Sequence, residues 1–356
     1  MMSKLFSPIE IRGETFKNRV FVSPMCQYSA EGRDGYPTPW HMVHLGSRAV
    51  GGASLVMFEA TAVTPVGRIT PWDLGIWEDG HIPVYSEIAA FIQSQDCVPG
   101  IQLAHAGRKA SHDKPWLGGK PLDVDDGGWQ VQGPSPLPFD ENEPMPEELS
   151  VSDINRLVEA FGLAARRAVQ AGIKVIELHF AHGYLVFEFM SPLSNCRSDD
   201  YGGSFANRVR FPIQIVDRIR ELIPETVPLF VRISSSEYMD GGWDVEDSVA
   251  LCNILKEHGV DLVDCSSGGN SPAQRLVPYP GYQVPFAHQI RSRCNILTGA
   301  VGLITEPLQA EEIIEQGAAD VVFLGRELLR SPYWPIHARR AIEPATSWVN
   351  QYHRAF

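Results

Sequence analysis

The chain is poor in the features that would tie it to a metal scaffold, a nucleic acid or a membrane. Its six cysteines are scattered over 356 residues with no CxxC pair, which argues against a zinc ribbon and against a disulfide framework. Basic residues are outnumbered, 30 against 43 acidic for a formal charge of −13, so neither nucleic acid nor an anionic membrane is expected as the partner. No apolar run approaches the ~20 residues of a membrane helix, and no charged stretch followed by a short apolar one opens the chain. A soluble, cytoplasmic protein is therefore expected. Nor does a GxGxxG follow the first apolar run, which counts against a dinucleotide-binding Rossmann domain.

What is present is an ordinary globular balance, 44% hydrophobic and 21% charged, enough to bury a full core. Short apolar or β-branched runs recur at 19–22, 55–58, 98–103, 175–178, 229–233, 262–265, 296–298 and 321–324. Amphipathic segments such as 153–170, 205–222, 245–257 and 307–316 lie between them. Strict alternation of strand and helix implies a parallel sheet, and eight such units predict a single closed (β/α)₈ barrel spanning residues 1–356 as one domain. Ser152 is the expected cap of the 153–170 helix, and Gly172 and Gly259 are helix stops. Residues 8–17, turning at Gly13, predict a hairpin that plugs the barrel floor. Residues 105–150, rich in Gly, Pro, Asp and Trp, form a long ordered loop over the active face. Most cysteines are expected as buried thiols; Cys26, at a strand end among polar neighbours, is the exception.

In such a barrel the C-terminal strand ends share one mouth. They carry Ser23 to Tyr28 on strand one, Ala60 on strand two, Gln102 and His105 on strand three, His179, His182 and Tyr184 on strand four, and Arg232 on strand five. Glycine turns after strands seven and eight, Gly302 and Gly325 with Arg326, suit a phosphate, because backbone N–H groups can approach closely and the arginine adds charge. Arg232 projects from an apolar strand, where a charge needs a partner. Either it pairs with a barrel carboxylate such as Glu177, or with Gln102 it meets an electron-rich ring. A flavin mononucleotide satisfies the second reading, its phosphate at strands seven and eight and its pyrimidine end at Gln102 and Arg232. The rival use of the histidines is a zinc site built from His105, His179 and His182. Strand one lacks an HxH pair and strand eight ends without a carboxylate, which weakens it.

Six blocks, 24–28 (PMCQY), 102–109 (QLAHAGRK), 179–185 (HFAHGYL), 191–195 (SPLSN), 200–204 (DYGGS) and 325–327 (GRE), in this order, resemble the Old Yellow Enzyme family of flavin-dependent ene-reductases. Cys26 and the short chain are similar to its thermophilic-like subclass. The resemblance implies an FMN enzyme that takes a hydride from NADPH and reduces the C=C bond of small activated alkenes. It implies that Ser23, Pro24, Met25, Cys26, Ala60, Gln102, Arg232, Gly325 and Arg326 contact the flavin. It further implies that His179 and His182 hold the substrate carbonyl oxygen, that Tyr184 protonates the α carbon, and that Tyr28 adds a hydrogen bond to the substrate. Cys26 would tune the flavin. The tail 345–356 resembles one that completes a neighbouring subunit's site, which makes Arg354 a substrate-binding candidate in a homodimer or homotetramer. No metal is expected. Phe187, Cys196 and Ser198 depart from the family's usual residues. A metal-dependent barrel hydrolase and a flavin-binding redox sensor using Cys26 are the competing functions.

Overall fold

Which way each strand residue points decides both the architecture and the site. The computed structural model describes residues 3–343 and 349–355; residues 1–2, 344–348 and 356 lie outside that description. A hairpin of β1 (Ile9–Ile11) and β2 (Glu14–Phe16) precedes β3 (Val20–Val22), α1 (Pro39–Val50), β4 (Leu55–Ala62), α2 (Ile82–Ser94) and β5 (Val98–Ala104). The long loop follows, with β6 (Gln132–Gly133) and β7 (Glu147–Glu148), then α3 (Val151–Gln170), β8 (Val175–Phe180) and α4 (Leu185–Met190). The second half runs α5 (Phe205–Arg208), α6 (Arg210–Leu222), β9 (Leu229–Ser234), α7 (Val245–Glu257), β10 (Leu262–Ser266), α8 (Val284–Cys294) and β11 (Leu297–Ala300). It ends with α9 (Pro307–Glu315), β12 (Val321–Leu324), α10 (Arg326–Arg330) and α11 (Trp334–Ile342). The eight strands β3, β4, β5, β8, β9, β10, β11 and β12 close a parallel barrel in that order. The predicted (β/α)₈ barrel is the fold.

Successive strand residues alternate between the barrel interior and the helices. Val56, Ile101, Ile176, Val231, Val263 and Val322 face outward into the core shared with the helices. Phe21, Met57, Val98, Val175, Phe230, Leu262, Val321 and Phe323 face inward and join Ile11 and Phe16 of the hairpin, which fill the floor as expected. Phe21 stacks on Phe230 at 6.4 Å and meets Phe323 edge-on at 5.4 Å. One or two steps further along the same inward face the side chains turn polar: Gln102, Glu177, Arg232 and Asp264. The barrel is dry below and polar above.

One bulge breaks the parity. The β4–β5 register runs Phe58 opposite Ile101 and then Ala60 opposite Gln102, so Glu59 is the extra residue. Past it, Ala60 and Ala62 face inward where Glu59 and Thr61 otherwise would. Glu59 instead accepts the Gln27 N–H at 2.9 Å and lies 3.6 Å from the His41 ring.

Two local expectations are corrected. The α3 cap is Ser150, not Ser152: its hydroxyl accepts the Asp153 N–H while the Asp153 carboxylate accepts the Ser150 N–H, a reciprocal pair that starts the helix two residues earlier. The predicted 205–222 helix is interrupted at Val209, where ψ is 0°. The 105–150 loop is ordered and packs on the segment that follows β4. Its Trp129 donates to the Val66 carbonyl at 2.8 Å, and the Arg68 guanidinium lies against both Trp77 and Trp129.

Phe16 is fully buried in the floor against Phe21 and Phe230. Phe16→Ala should lower unfolding stability by about 3–5 kcal/mol, measured by guanidinium titration. A midpoint equal to the parent's would mean that the hairpin does not seal the barrel.

Candidate functional site

Strand ends of both barrel halves meet around a cavity of about 300 Å³ at the mouth, bordered by Ser23, Pro24, Met25, His182, Arg232, Ser266, Gly302, Gly325 and Arg326 among others. Gly302 holds φ at +124°, and a Cβ there would come within 3.0 Å of the Tyr282 ring and 3.1 Å of Gln283 Nε2. Only glycine suits that position. Tyr282 and Gln283 were missed from sequence, since the 267–283 loop has no motif; Gln283 accepts from Ser267 Oγ at 2.5 Å and donates to the Val301 carbonyl at 3.1 Å, tying two strand ends together. Ser23 Oγ is buried beside the cavity with no hydrogen-bond partner. That orphaned hydroxyl, the glycine turn and two arginines fit a phosphate-bearing flavin. The other expected flavin contacts do not border this cavity: Gln102 is buried, Ala60 faces a separate small cavity, and Cys26 is half-buried.

Beneath the mouth lies a buried charge cluster. Arg232 Nε sits 3.2 Å from Asp264 Oδ2, so its partner is Asp264, not Glu177. The register explains this: Asp264 is directly opposite Arg232 on the neighbouring strand, whereas Glu177 lies opposite Phe230. Glu177 instead accepts from Gln102 Nε2 at 2.8 Å. Burial raises the pKa of both carboxyls; the guanidinium opposes the rise. Both Asp264 oxygens and Glu177 Oε2 lack a hydrogen-bond donor.

The paired imidazoles stand at the end of β8. The His179 ring lies 5.1 Å from that of His182 and 4.9 Å from that of Tyr184, edge to face in both cases. His179 Nδ1 accepts the Ala181 N–H at 3.3 Å, which leaves the proton of the neutral ring on Nε2. His182 Nε2 is 2.7 Å from Ser266 Oγ, a hydroxyl that also reaches Gln283 Oε1 at 3.4 Å, so the His182 tautomer follows from which of the two Ser266 donates to. Burial lowers both pKa values well below the usual range, and Arg232 lowers them further. Both rings are thus neutral, and His179 keeps its Nε2–H to offer.

His182 adopts φ +60°, a strained conformation for a side-chain-bearing residue. Lys109 holds it there. Its ammonium donates to the His182 and Gly269 carbonyls, each at 2.9 Å, and lies 5.1 Å from the Tyr184 ring centre and 4.6 Å from that of Phe139. Burial lowers the Lys109 pKa to about 8. The residue stood inside a recognised block, yet only the fold reveals which carbonyls it reaches. Opposite it, Tyr184 and Tyr28 line a second cavity of about 250 Å³ with Lys109, His112, Phe139 and Glu143. Burial pushes both phenols above their ordinary pKa, and Cys26 adds to the shift.

The remaining candidates sort plainly. His105 Nδ1 accepts the Gly107 N–H at 3.1 Å, and among the described residues no group of three His, Cys, Asp or Glu side chains is arranged to hold a metal ion. Phe187 is fully buried and packs on Trp243 at 6.2 Å, a core residue. Cys196 and Ser198 are exposed, so Cys196 is an exception to the expectation of buried thiols. Arg354 is exposed in a short helical turn, Asn350–Ala355, and borders neither cavity; residues 345–348 and 356 of the same tail lie outside the described part. No helix among the described residues is long and apolar enough to cross a membrane.

A phosphate cradle and a proton-handling cluster at the C-terminal mouth of a parallel barrel define a flavin-binding oxidoreductase. Residues 4–344 match the FMN-dependent NADH:flavin oxidoreductase / NADH oxidase family, and the chain belongs to it. The NADPH dehydrogenase of Geobacillus sp. (strain WCH70) is 49% identical over 356 residues, all of this chain and 99% of that protein. In fold, the old yellow enzyme homologue of Zymomonas mobilis superposes with a TM-score of 0.77 at 23% identity over 98% of both chains. A 2-naphthoyl-CoA reductase superposes at 0.86 and 23% over 96% of this chain, which spans about half (52%) of that larger protein. The Old Yellow Enzyme resemblance is borne out, with FMN as the cofactor.

Removing the guanidinium that faces Asp264 and Glu177 leaves two buried carboxyls uncompensated. Arg232→Met should therefore destabilise the fold by about 3–5 kcal/mol at pH 8. Carboxyls whose folded pKa lies above the unfolded one are least unfavourable when protonated, so the deficit should shrink as pH falls toward 4. A deficit independent of pH in urea titrations would rule out the charge explanation.

Proposed function

We propose that this chain, acting as one FMN-binding barrel domain over residues 1–356, is an NADPH-dependent reductase of C=C bonds conjugated to a carbonyl or similar group. The observation that carries this reading is the set His179, His182 and Tyr184, two neutral imidazoles side by side, the first with a free Nε2–H, beside a protonated phenol. The NADPH dehydrogenase relatives support the choice of hydride donor. Bound FMN would supply the hydride, held by Ser23, Pro24, Met25, Ala60, Gln102, Gly302, Gly325 and Arg326, with Arg232 at the end where negative charge gathers.

His179 Nε2–H, and His182 Nδ1–H when Ser266 donates to His182, would donate to the substrate's carbonyl oxygen and stabilise the enolate-like charge as the β carbon gains hydride. Neutral imidazoles suit this task, because they donate without surrendering the proton. Tyr184 would then protonate the α carbon; its raised pKa keeps the phenol loaded at neutral pH. Tyr28, at the other wall of the same cavity, would add a hydrogen bond to the substrate. Burial, Asp73 and Glu59 raise the Cys26 thiol pKa, which supports a flavin-tuning role over a reactive sensor thiolate. His105 and His179 each accept a backbone N–H at Nδ1, which puts the ring proton on Nε2 and leaves no lone pair there for zinc, and this disfavours the zinc hydrolase. The exposure of Arg354 suits a residue that completes a second subunit's site in a cytoplasmic homodimer or homotetramer.

The purified protein should be yellow, bleach with NADPH, and regain colour anaerobically with cyclohexenone; no reoxidation by any activated alkene would sink the proposal. Tyr184→Phe should slow reoxidation by the alkene by about 10²-fold or more while flavin reduction by NADPH survives, as stopped-flow absorbance will show. His179→Ala should weaken phenol binding about tenfold, the loss of one hydrogen bond to a charged oxygen, measured from the flavin's spectral shift. Undiminished binding would contradict the oxygen-holding role.

A further inference from the structure

We propose that Asp73 reloads Tyr184 with a proton after each turnover, through a single water molecule held in the small cavity that both residues line. The inference rests on Tyr184 being the proton source, and it concerns what that phenol needs next. Once Tyr184 has given its proton to carbon, a phenolate remains in a site that burial makes hostile to charge. It must be refilled before the next substrate is reduced.

The route lies behind the ring. Tyr184 and Asp73 border a cavity of about 10 Å³ whose other walls are small and apolar, Ala60, Ala62, Ala104 and Gly67 among them. That is about the room one water requires. The space exists because the bulge at Glu59 turns Ala60 and Ala62 inward, so that methyl groups line it instead of longer chains. Asp73 is the carboxyl that lines this cavity with Tyr184, near enough for its charge to act on the phenol. Its carboxylate is fixed by Thr70 Oγ1 at 2.7 Å on one oxygen and by the Ile69 N–H at 2.6 Å on the other, and each oxygen keeps a lone pair.

Asp73 also has an outlet. Its hydrogen-bond partner Thr70 lines the larger substrate-side cavity, as Tyr184 does. Thr70 meets solvent there while that cavity is open, and Asp73 then holds a proton for the phenol while the cavity is filled. Burial brings the Asp73 pKa up to about 6, with Thr70, Ile69 and Arg68 opposing the rise, so both protonation states lie within reach near neutral pH. The charged and titratable groups facing it are Arg68 from its own loop, Cys26 and Tyr28 from the end of β3, Glu59 from the β4 bulge, and Tyr184 from the end of β8.

The protons balance without any further reagent. The Tyr184 O–H bond breaks as the substrate C–H bond forms. The water then gives a proton to the phenolate oxygen and takes one from the Asp73 carboxyl. The carboxylate regains its proton from solvent through the Thr70 hydroxyl, which accepts one and passes one on.

The test compares first and later turnovers of the FMN-loaded full chain. Pre-reduced Asp73→Asn protein is mixed anaerobically with cyclohexenone, and steady-state turnover with saturating NADPH is measured separately in H₂O and D₂O. The first turnover and phenol affinity should stay within about twofold of the parent, whereas steady-state turnover should fall about tenfold or more and its solvent isotope effect should rise. Steady-state turnover and isotope effect equal to the parent's overturn the relay, and so does a slowed first turnover or weakened phenol binding, which marks a structural role. Should Asp73→Asn not fold, Ala104→Val fills the cavity instead and must give the same split; an unaltered steady state again overturns it. A Tyr184→Phe protein with an unimpaired first turnover would instead sink the functional reading on which the relay rests.

Discussion

Eight parallel strands enclose an interior too narrow for bulk water, so every side chain pointing inward must be packed against a neighbour or paired with a polar group. The chain meets this demand in two ways along a single direction. Below, Ile11, Phe16, Phe21, Phe230 and Phe323 fill the space with rings and aliphatic groups. Above, Gln102, Glu177, Arg232 and Asp264 fill it with groups that bind one another. The site inherits its chemistry from that second layer. Arg232 adds to burial in keeping the histidines above it neutral, and Asp264 pairs with the guanidinium.

The cluster of His179, His182, Tyr184 and Tyr28 owes its protonation states to burial. A histidine on the surface would titrate near neutral pH, and a tyrosine near 10; enclosure pushes these apart, the imidazoles down and the phenols up. Both groups consequently hold one defined protonation state across the physiological range. The geometry around them is held by backbone-directed contacts: Lys109 on the His182 and Gly269 carbonyls, Ser234 on the His182 N–H. Gly183 and Gly269 allow those two turns to touch, since a Cβ on Gly183 would lie 2.4 Å from the Gly269 oxygen.

Much of this was legible in the sequence, and the parts that were not have a common cause. Strand positions such as 175–178 and 321–324 follow from apolar runs whose signal is local. The gathering of Ser23, His182, Arg232, Gly302, Gly325 and Arg326 at one mouth followed from the rule that strand ends converge. What escaped notice depends on register between strands. Arg232 meets Asp264 because they are paired across β9 and β10, a fact no single segment contains. The same holds for Gln283, which reaches Ser267 and Val301 from a motif-free loop, and for Lys109, whose acceptors lie 73 and 160 residues away along the chain. The Ser150 cap was missed for a smaller reason: two serines near the helix start both suit the role, and only the reciprocal bond with Asp153 selects one.

The bulge at Glu59 amounts to a switch in how the second barrel strand is spelled. Before it, odd-numbered residues face the interior; after it, even-numbered ones do. A single extra residue thus exchanges a carboxylate and a threonine for two alanines at the mouth, and sends the carboxylate back toward the helix that carries His41. The shape of this mouth is therefore written partly in chain length: losing one residue there would change its chemistry while leaving every other side chain in the protein the same.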